Sequence, residues 1–287
     1  MVGLSGPVVV VGHNGPVTEG SPAAASASGR LVALGSSFAA GPGIAPRAAG
    51  SPRRAGRSAR NYAHLAAARL GLDLDDVSYS GATIREILHG TDAGRPAQIE
   101  AVTASAGVVT LTGGGNDVGY VPRLVLASLP RVVRAVTSAQ RQADAFGDPE
   151  QTEQRFADLT ANLARVAVEV RRRAPRSRLL FVDYLTILPP EGTTVTGPLP
   201  ADVADWGRTV ARRLSDVTRA AAEGSGSGFV AAGVASLSHH AWSAEPWTRR
   251  FSLSLRGGAP YHPNQAGMRA VAARVVTAVG AVSAPDP

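Results

Sequence analysis

Short apolar runs that end at glycine, each followed by a stretch of helical spacing, constrain this chain more than any other feature. Leu31-Val32-Ala33-Leu34 stops at Gly35, and Gly107 to Thr112 stops at Gly113-Gly114-Gly115. Arg178 to Val182 and Gly228 to Ala231 are further apolar runs without a closing glycine, and a shorter run lies at Val77 to Tyr79. Helical spacing fills the intervals: Asn61 to Leu70, Thr83 to His89, Pro122 to Ala143, Glu150 to Ala174, Ala201 to Glu223 and Asn264 to Val279. Asn61 suits an N-cap and Gly71 a C-cap. Continuous apolar strands alternating with amphipathic helices predict a parallel sheet covered on both faces. The expected fold class is α/β, a three-layer α/β/α sandwich around a flavodoxin-like parallel sheet of about five strands. In such sheets functional groups collect beyond the carboxyl ends of the strands.

Residues 1–29, rich in Gly, Pro, Ser and Ala, read as a flexible leader; residues 30–281 form the expected domain and 282–287 a tail. The net charge of +7 raises the question of nucleic acid. All 29 basic residues are arginine, as codon bias would give, and they are dispersed. The densest run, Arg171 to Arg178, closes a helix, where cations suit the dipole. No nucleic-acid partner is expected. Met1 to Gly29 lacks a cationic n-region and a long apolar core, and no stretch approaches the ~20 apolar residues of a membrane span. The expectation is therefore a cytoplasmic protein without stable membrane insertion, and the absence of cysteine does not exclude export. No His, Asp or Glu cluster has ligand spacing, so no metal and no cofactor are expected.

The strand exits carry the candidate chemistry. Gly35-Ser36-Ser37 places a serine at a tight strand-to-helix turn, where the hydroxyl is exposed and the N–H lies at a helix start; taken alone, it reads more readily as a serine-rich loop or helix N-cap. Gly81 follows the Val77 run, and Gly113-Gly114-Gly115-Asn116-Asp117 follows the next strand. Glycine lets backbone N–H groups approach a ligand, and an asparagine amide is a neutral donor suited to an oxyanion. The triple glycine lacks the lysine of a phosphate-binding P-loop. His262 stands in a rigid turn, Pro260-Tyr261-His262-Pro263, just before the last helix.

In that order, Gly35-Ser36-Ser37, Gly81, Gly114-Gly115-Asn116-Asp117 and His262-Pro263 resemble the four blocks of the GDSL/SGNH hydrolases, across about residues 30 to 280, with a texture similar to actinobacterial members. The resemblance implies an ester hydrolase acting on a small acyl-ester substrate. Ser37 would be the nucleophile and His262 its base, with the Ser37 N–H, the Gly81 N–H and the Asn116 side chain as oxyanion hole. Two positions depart from the family pattern. Ser36 stands where aspartate usually precedes the nucleophile, and Ala259 stands where a carboxylate usually lies three residues before the histidine. The expectation is a Ser–His dyad in which the Ala259 carbonyl accepts the imidazole Nδ1–H and fixes its tautomer. Asp183, at a strand end, is the alternative acid, although a structural role suits it better. Trp242, Trp247 and Phe251, in a non-periodic loop before His262, are candidates for an acyl pocket or for packing. The scarcity of other aromatics favours short or medium acyl chains. Two further readings stay open: an acyltransferase using the same chemistry, and a non-catalytic binding module on a degenerate scaffold.

Overall fold

The computed structural model describes residues 29–253 and 258–280. Residues 1–28 of the expected leader, the tail and residues 254–257 of the loop before His262 lie outside the described residues. Five parallel strands pair in the order β2-β1-β3-β4-β5: β1 (Arg30–Gly35), β2 (Asp73–Asp76), β3 (Ala106–Thr112), β4 (Arg178–Val182) and β5 (Gly228–Val230). Leu31, Val32, Ala33 and Leu34 are fully buried, as a strand covered on both faces requires.

The second strand differs from expectation. Its ladder is made by Asp73–Asp76, not by Val77 to Tyr79. An edge strand needs neighbours on one side only, so a charged run is tolerated there. The missed segment still follows the ladder, with the Val77 N–H donating to the Ala33 carbonyl and the Tyr79 N–H to that of Gly35.

Helices cover both faces. On one, α2 (Tyr62–Leu70) packs against α10 (Gln265–Gly280). On the other lie α3 (Ile84–His89), α4 (Tyr120–Ala127), α7 (Pro149–Arg173) and α8 (Ala201–Gly224). The remaining α-helices among the described residues are α1 (Ser37–Ala40), α5 (Arg131–Val136), α6 (Ala139–Gly147) and α9 (Ala232–Ala235). Asn61 caps α2, accepting the His64 N–H, and Gly71 closes it in the left-handed region. The single helix expected over Pro122 to Ala143 is three. Pro130 has no N–H to continue α4 and instead starts α5, and Thr137 in extended conformation separates α5 from α6. No described helix is long and apolar enough to cross a membrane.

Candidate active site

The exit of β1 is held by backbone contacts that only glycine permits. Gly35 has φ +146°, and a Cβ there would stand 2.4 Å from the Thr112 carbonyl oxygen of β3. The buried Gln98 amide receives the Gly35 N–H at 2.8 Å and donates to the Gly35 carbonyl at 3.1 Å. The Ser36 N–H donates to the Thr112 carbonyl at 2.9 Å. Ser37 is therefore delivered as the first residue of α1, where its N–H lies outside the helix's own bonding ladder.

His262 meets it. Nε2 of His262 lies 2.7 Å from Oγ of Ser37, and Nδ1 lies 2.7 Å from the Pro260 carbonyl. A carbonyl oxygen only accepts, so Nδ1 carries the proton and the Nε2 lone pair faces the serine hydroxyl. This corrects the sequence expectation: the orienting carbonyl belongs to Pro260 rather than Ala259. The Ala259 carbonyl is occupied by the His262 backbone N–H at 3.4 Å. The reason is local geometry. Tyr261 takes φ +60°, which folds the imidazole back onto the residue two positions before it. Burial lowers the imidazole to about 4; the Pro260 carbonyl opposes the shift and Arg249 adds to it.

Asp183 does not serve His262. Its carboxylate accepts from the Ser215 hydroxyl at 2.9 Å and from the backbone N–H groups of Tyr184 and Gly233. Burial pushes it up to about 6 against those donors.

Gly81 occupies the turn after β2 with φ +84° and open space around it, so the conformation rather than crowding favours glycine. Asn116 is tied to the same turn, its Nδ2 donating to the Ala82 carbonyl at 2.9 Å. Asp117 reinforces the link by accepting the Ile84 N–H at 3.0 Å. Burial pushes its carboxyl to about 6, opposed by those backbone N–H bonds.

Sequence reasoning missed Tyr184. Its buried hydroxyl accepts the Gly115 N–H at 3.0 Å and lies 3.1 Å from Oγ of Ser36, while its ring packs 4.3 Å from that of Phe38. One side chain thus connects the serine turn to the glycine turn beside Asn116. The only cue in the sequence is a polar aromatic residue just past a strand end.

The aromatic loop divides. Trp242 and Phe251 flank Tyr261 at 6.3 and 6.2 Å, one residue from His262. Trp247 instead stacks on His239 at 4.0 Å and packs below Arg274, which makes it part of the loop's own support.

A GDSL-like lipase/acylhydrolase family model matches residues 33–270. The chain is 29% identical over 281 residues to Lipase 2 of Streptomyces coelicolor, covering 95% of this chain and 93% of that protein. Among solved structures it is similar to an extracellular lipase from Streptomyces rimosus, with TM-score 0.70, 23% identity, and coverage of 88% of this chain and 100% of that one. It is also similar to phospholipase A1 from Streptomyces albidoflavus NA297, with TM-score 0.68, 24% identity, and coverage of 88% and 99%.

Proposed function

The chain belongs to the GDSL-like lipase/acylhydrolase family and is a carboxyl-ester hydrolase, and on that premise we propose that it works through a Ser37–His262 dyad and an acyl-enzyme intermediate. The observation that carries this reading is the 2.7 Å contact between Nε2 of His262 and Oγ of Ser37, with Nδ1 fixed by the Pro260 carbonyl. Residues 30–281 would form the catalytic unit.

Oγ of Ser37 attacks the acyl carbon as its proton passes to Nε2 of His262. Negative charge then develops on the former carbonyl oxygen, where the Ser37 N–H, the Gly81 N–H and the Asn116 amide are the proposed donors. Collapse breaks the ester C–O bond, and the proton on Nε2 leaves with the alcohol. Water repeats the cycle: it gives a proton to Nε2, attacks the acyl carbon, and Ser37 departs with that proton restored.

The Pro260 carbonyl performs one of the two tasks of a triad carboxylate. It sets the tautomer, and its dipole offers the imidazolium less stabilisation than a full charge would. The relatives named lipase support a lipid ester as substrate, and Trp242 and Phe251 beside Tyr261 are placed to border the acyl chain.

The test is hydrolysis of p-nitrophenyl esters from acetate to palmitate by wild type, Ser37→Ala and His262→Ala. Turnover should collapse in both variants, and a serine-reactive phosphonate should label Ser37 alone. Wild type that neither turns over nor labels would overturn the proposal.

A further inference from the structure

Among the described α-helices, one buries nothing. All of α5 is partly or fully exposed, with Val132 and Val136 exposed to 74% and 78% and Val133 to 39%. Water-facing valines at these positions have no folding rationale, because a helix in a globular chain is ordinarily held by an apolar face turned inward.

Its position gives the exposure meaning. The hydroxyl of Ser128, at the end of α4 and three residues before α5, lies 2.7 Å from that of Tyr261, which adjoins His262. Leu253, 65% exposed, sits on the loop that returns to His262. Val234 and Leu237, also exposed, directly follow the end of β5. Of the large hydrophobics exposed among the described residues, only Val168 on the long helix α7 stands apart from these strand-end connections.

Charge follows the same pattern. Between Asp117 and Asp144 the chain carries Arg123, Arg131, Arg134 and Arg141 and no acid, and Arg249 and Arg250 lie on the segment between Glu245 and Leu253. Apolar side chains flanked by cations are the chemistry that seats a protein on a negatively charged lipid surface.

We propose that the exposed face of α5, with Leu253, docks the enzyme on an anionic phospholipid bilayer. The valines enter the acyl boundary, Arg131 and Arg134 meet the headgroups, and the Ser37–His262 site is brought to the membrane surface. The role of the surface in substrate delivery rests on the ester-hydrolase reading; the binding itself does not.

The test measures co-sedimentation of Ser37→Ala protein with vesicles of phosphatidylcholine alone and of phosphatidylcholine mixed with phosphatidylglycerol, so that no lipid is consumed. Binding should favour the mixed vesicles. Val132→Ser with Val136→Ser and Leu253→Ser should weaken it roughly tenfold or more. Arg131→Gln and Arg134→Gln should each cost roughly fivefold and make binding less sensitive to salt. Val168→Ser should change nothing. The same valine and leucine changes in the Ser37 background should leave hydrolysis of soluble p-nitrophenyl acetate intact, which shows the variants are folded.

Vesicle affinity unmoved by the α5 and Leu253 changes would overturn the proposal. So would a concentration-dependent dimer that those changes abolish, since the face would then be covered by a second copy. Vesicle binding that behaves as expected, in a wild type without ester turnover, would sink the dyad reading and leave the docking surface standing.

Discussion

Ser37 and His262 reach the same point on different kinds of structure. Ser37 follows strand β1, whose Leu31 to Leu34 are fully buried, and opens a four-residue helix whose every side chain is buried. His262 lies on a connection that has no strand ladder or α-helix at residues 240–253, held by a Trp247–His239 stack, by side-chain bonds to carbonyls and by the isolated Thr248–Pro263 bridge. The serine half borrows its rigidity from the sheet ladder. The histidine half must assemble its own, one contact at a time. A nucleophile so placed tolerates little movement, and the adjustable partner is the base.

The strongest challenge to this contrast is removal of either partner, where a loss of roughly 10⁴–10⁶ in kcat is expected for both. A much milder loss for His262→Ala would mean that the loop half is dispensable. Asn116→Ala should cost roughly 10²–10³ in kcat with little change in KM. A change confined to KM would remove Asn116 from the oxyanion hole.

Tyr184→Phe tests the sheet-anchored half. It strips the buried Gly115 N–H and the Ser36 hydroxyl of their shared partner, so denaturant unfolding should register a loss of about 1–3 kcal/mol. An unchanged midpoint would show that the two turns are held independently.

Ala259→Asp tests the loop half by restoring a carboxylate three residues before the histidine. With the tautomer already set by Pro260, kcat/KM should stay within roughly tenfold of wild type. A gain of several orders of magnitude would show that the carbonyl orients the imidazole poorly.

The smallest effect concerns pH. His262 must be neutral to act as base, so the acid limb of kcat/KM should have its midpoint near 4, and activity should rise with pH through it. Arg249→Met removes the lesser of the two causes of that depression and should move the limb upward only slightly. The same group makes a signed contribution to stability. Its folded value lies below the ordinary 6.5, so the contribution is complete above 6.5 and is lost as pH falls toward 4. Asp117 and Asp183, raised from 3.8 to about 6, act oppositely: their contribution is present below 3.8 and lost as pH rises through 6.

The contrast also explains what could be read from the chain. Strand exits at Gly35 and Gly113, and the helix limits at Asn61 and Gly71, are local signals that place the candidate turns, whereas the roles of Ser37, Gly81 and Asn116 are implied by the resemblance of the four blocks to the GDSL/SGNH hydrolases. The charged ladder Asp73–Asp76 was illegible because edge strands escape the apolar rule that marks central ones. Tyr184 was illegible because its partner Ser36 lies 148 residues away. The choice of Pro260 over Ala259 hangs on one dihedral angle at Tyr261, which no periodicity encodes.

Tyr261 has a consequence for how such a chain can evolve. It is fully buried, bonded to Ser128, and holds a left-handed conformation that costs a non-glycine residue about 1 kcal/mol or more. A glycine would relax the backbone and lose the ring and the hydroxyl; another large residue would keep the bulk and inherit the cost. Selection for robustness and selection for turnover therefore act on the same position and cannot be satisfied separately. Drift in the surrounding core, at Ser128 or Trp242, would first be felt as an altered imidazole. In a lineage of such enzymes, turnover should fade before the fold does.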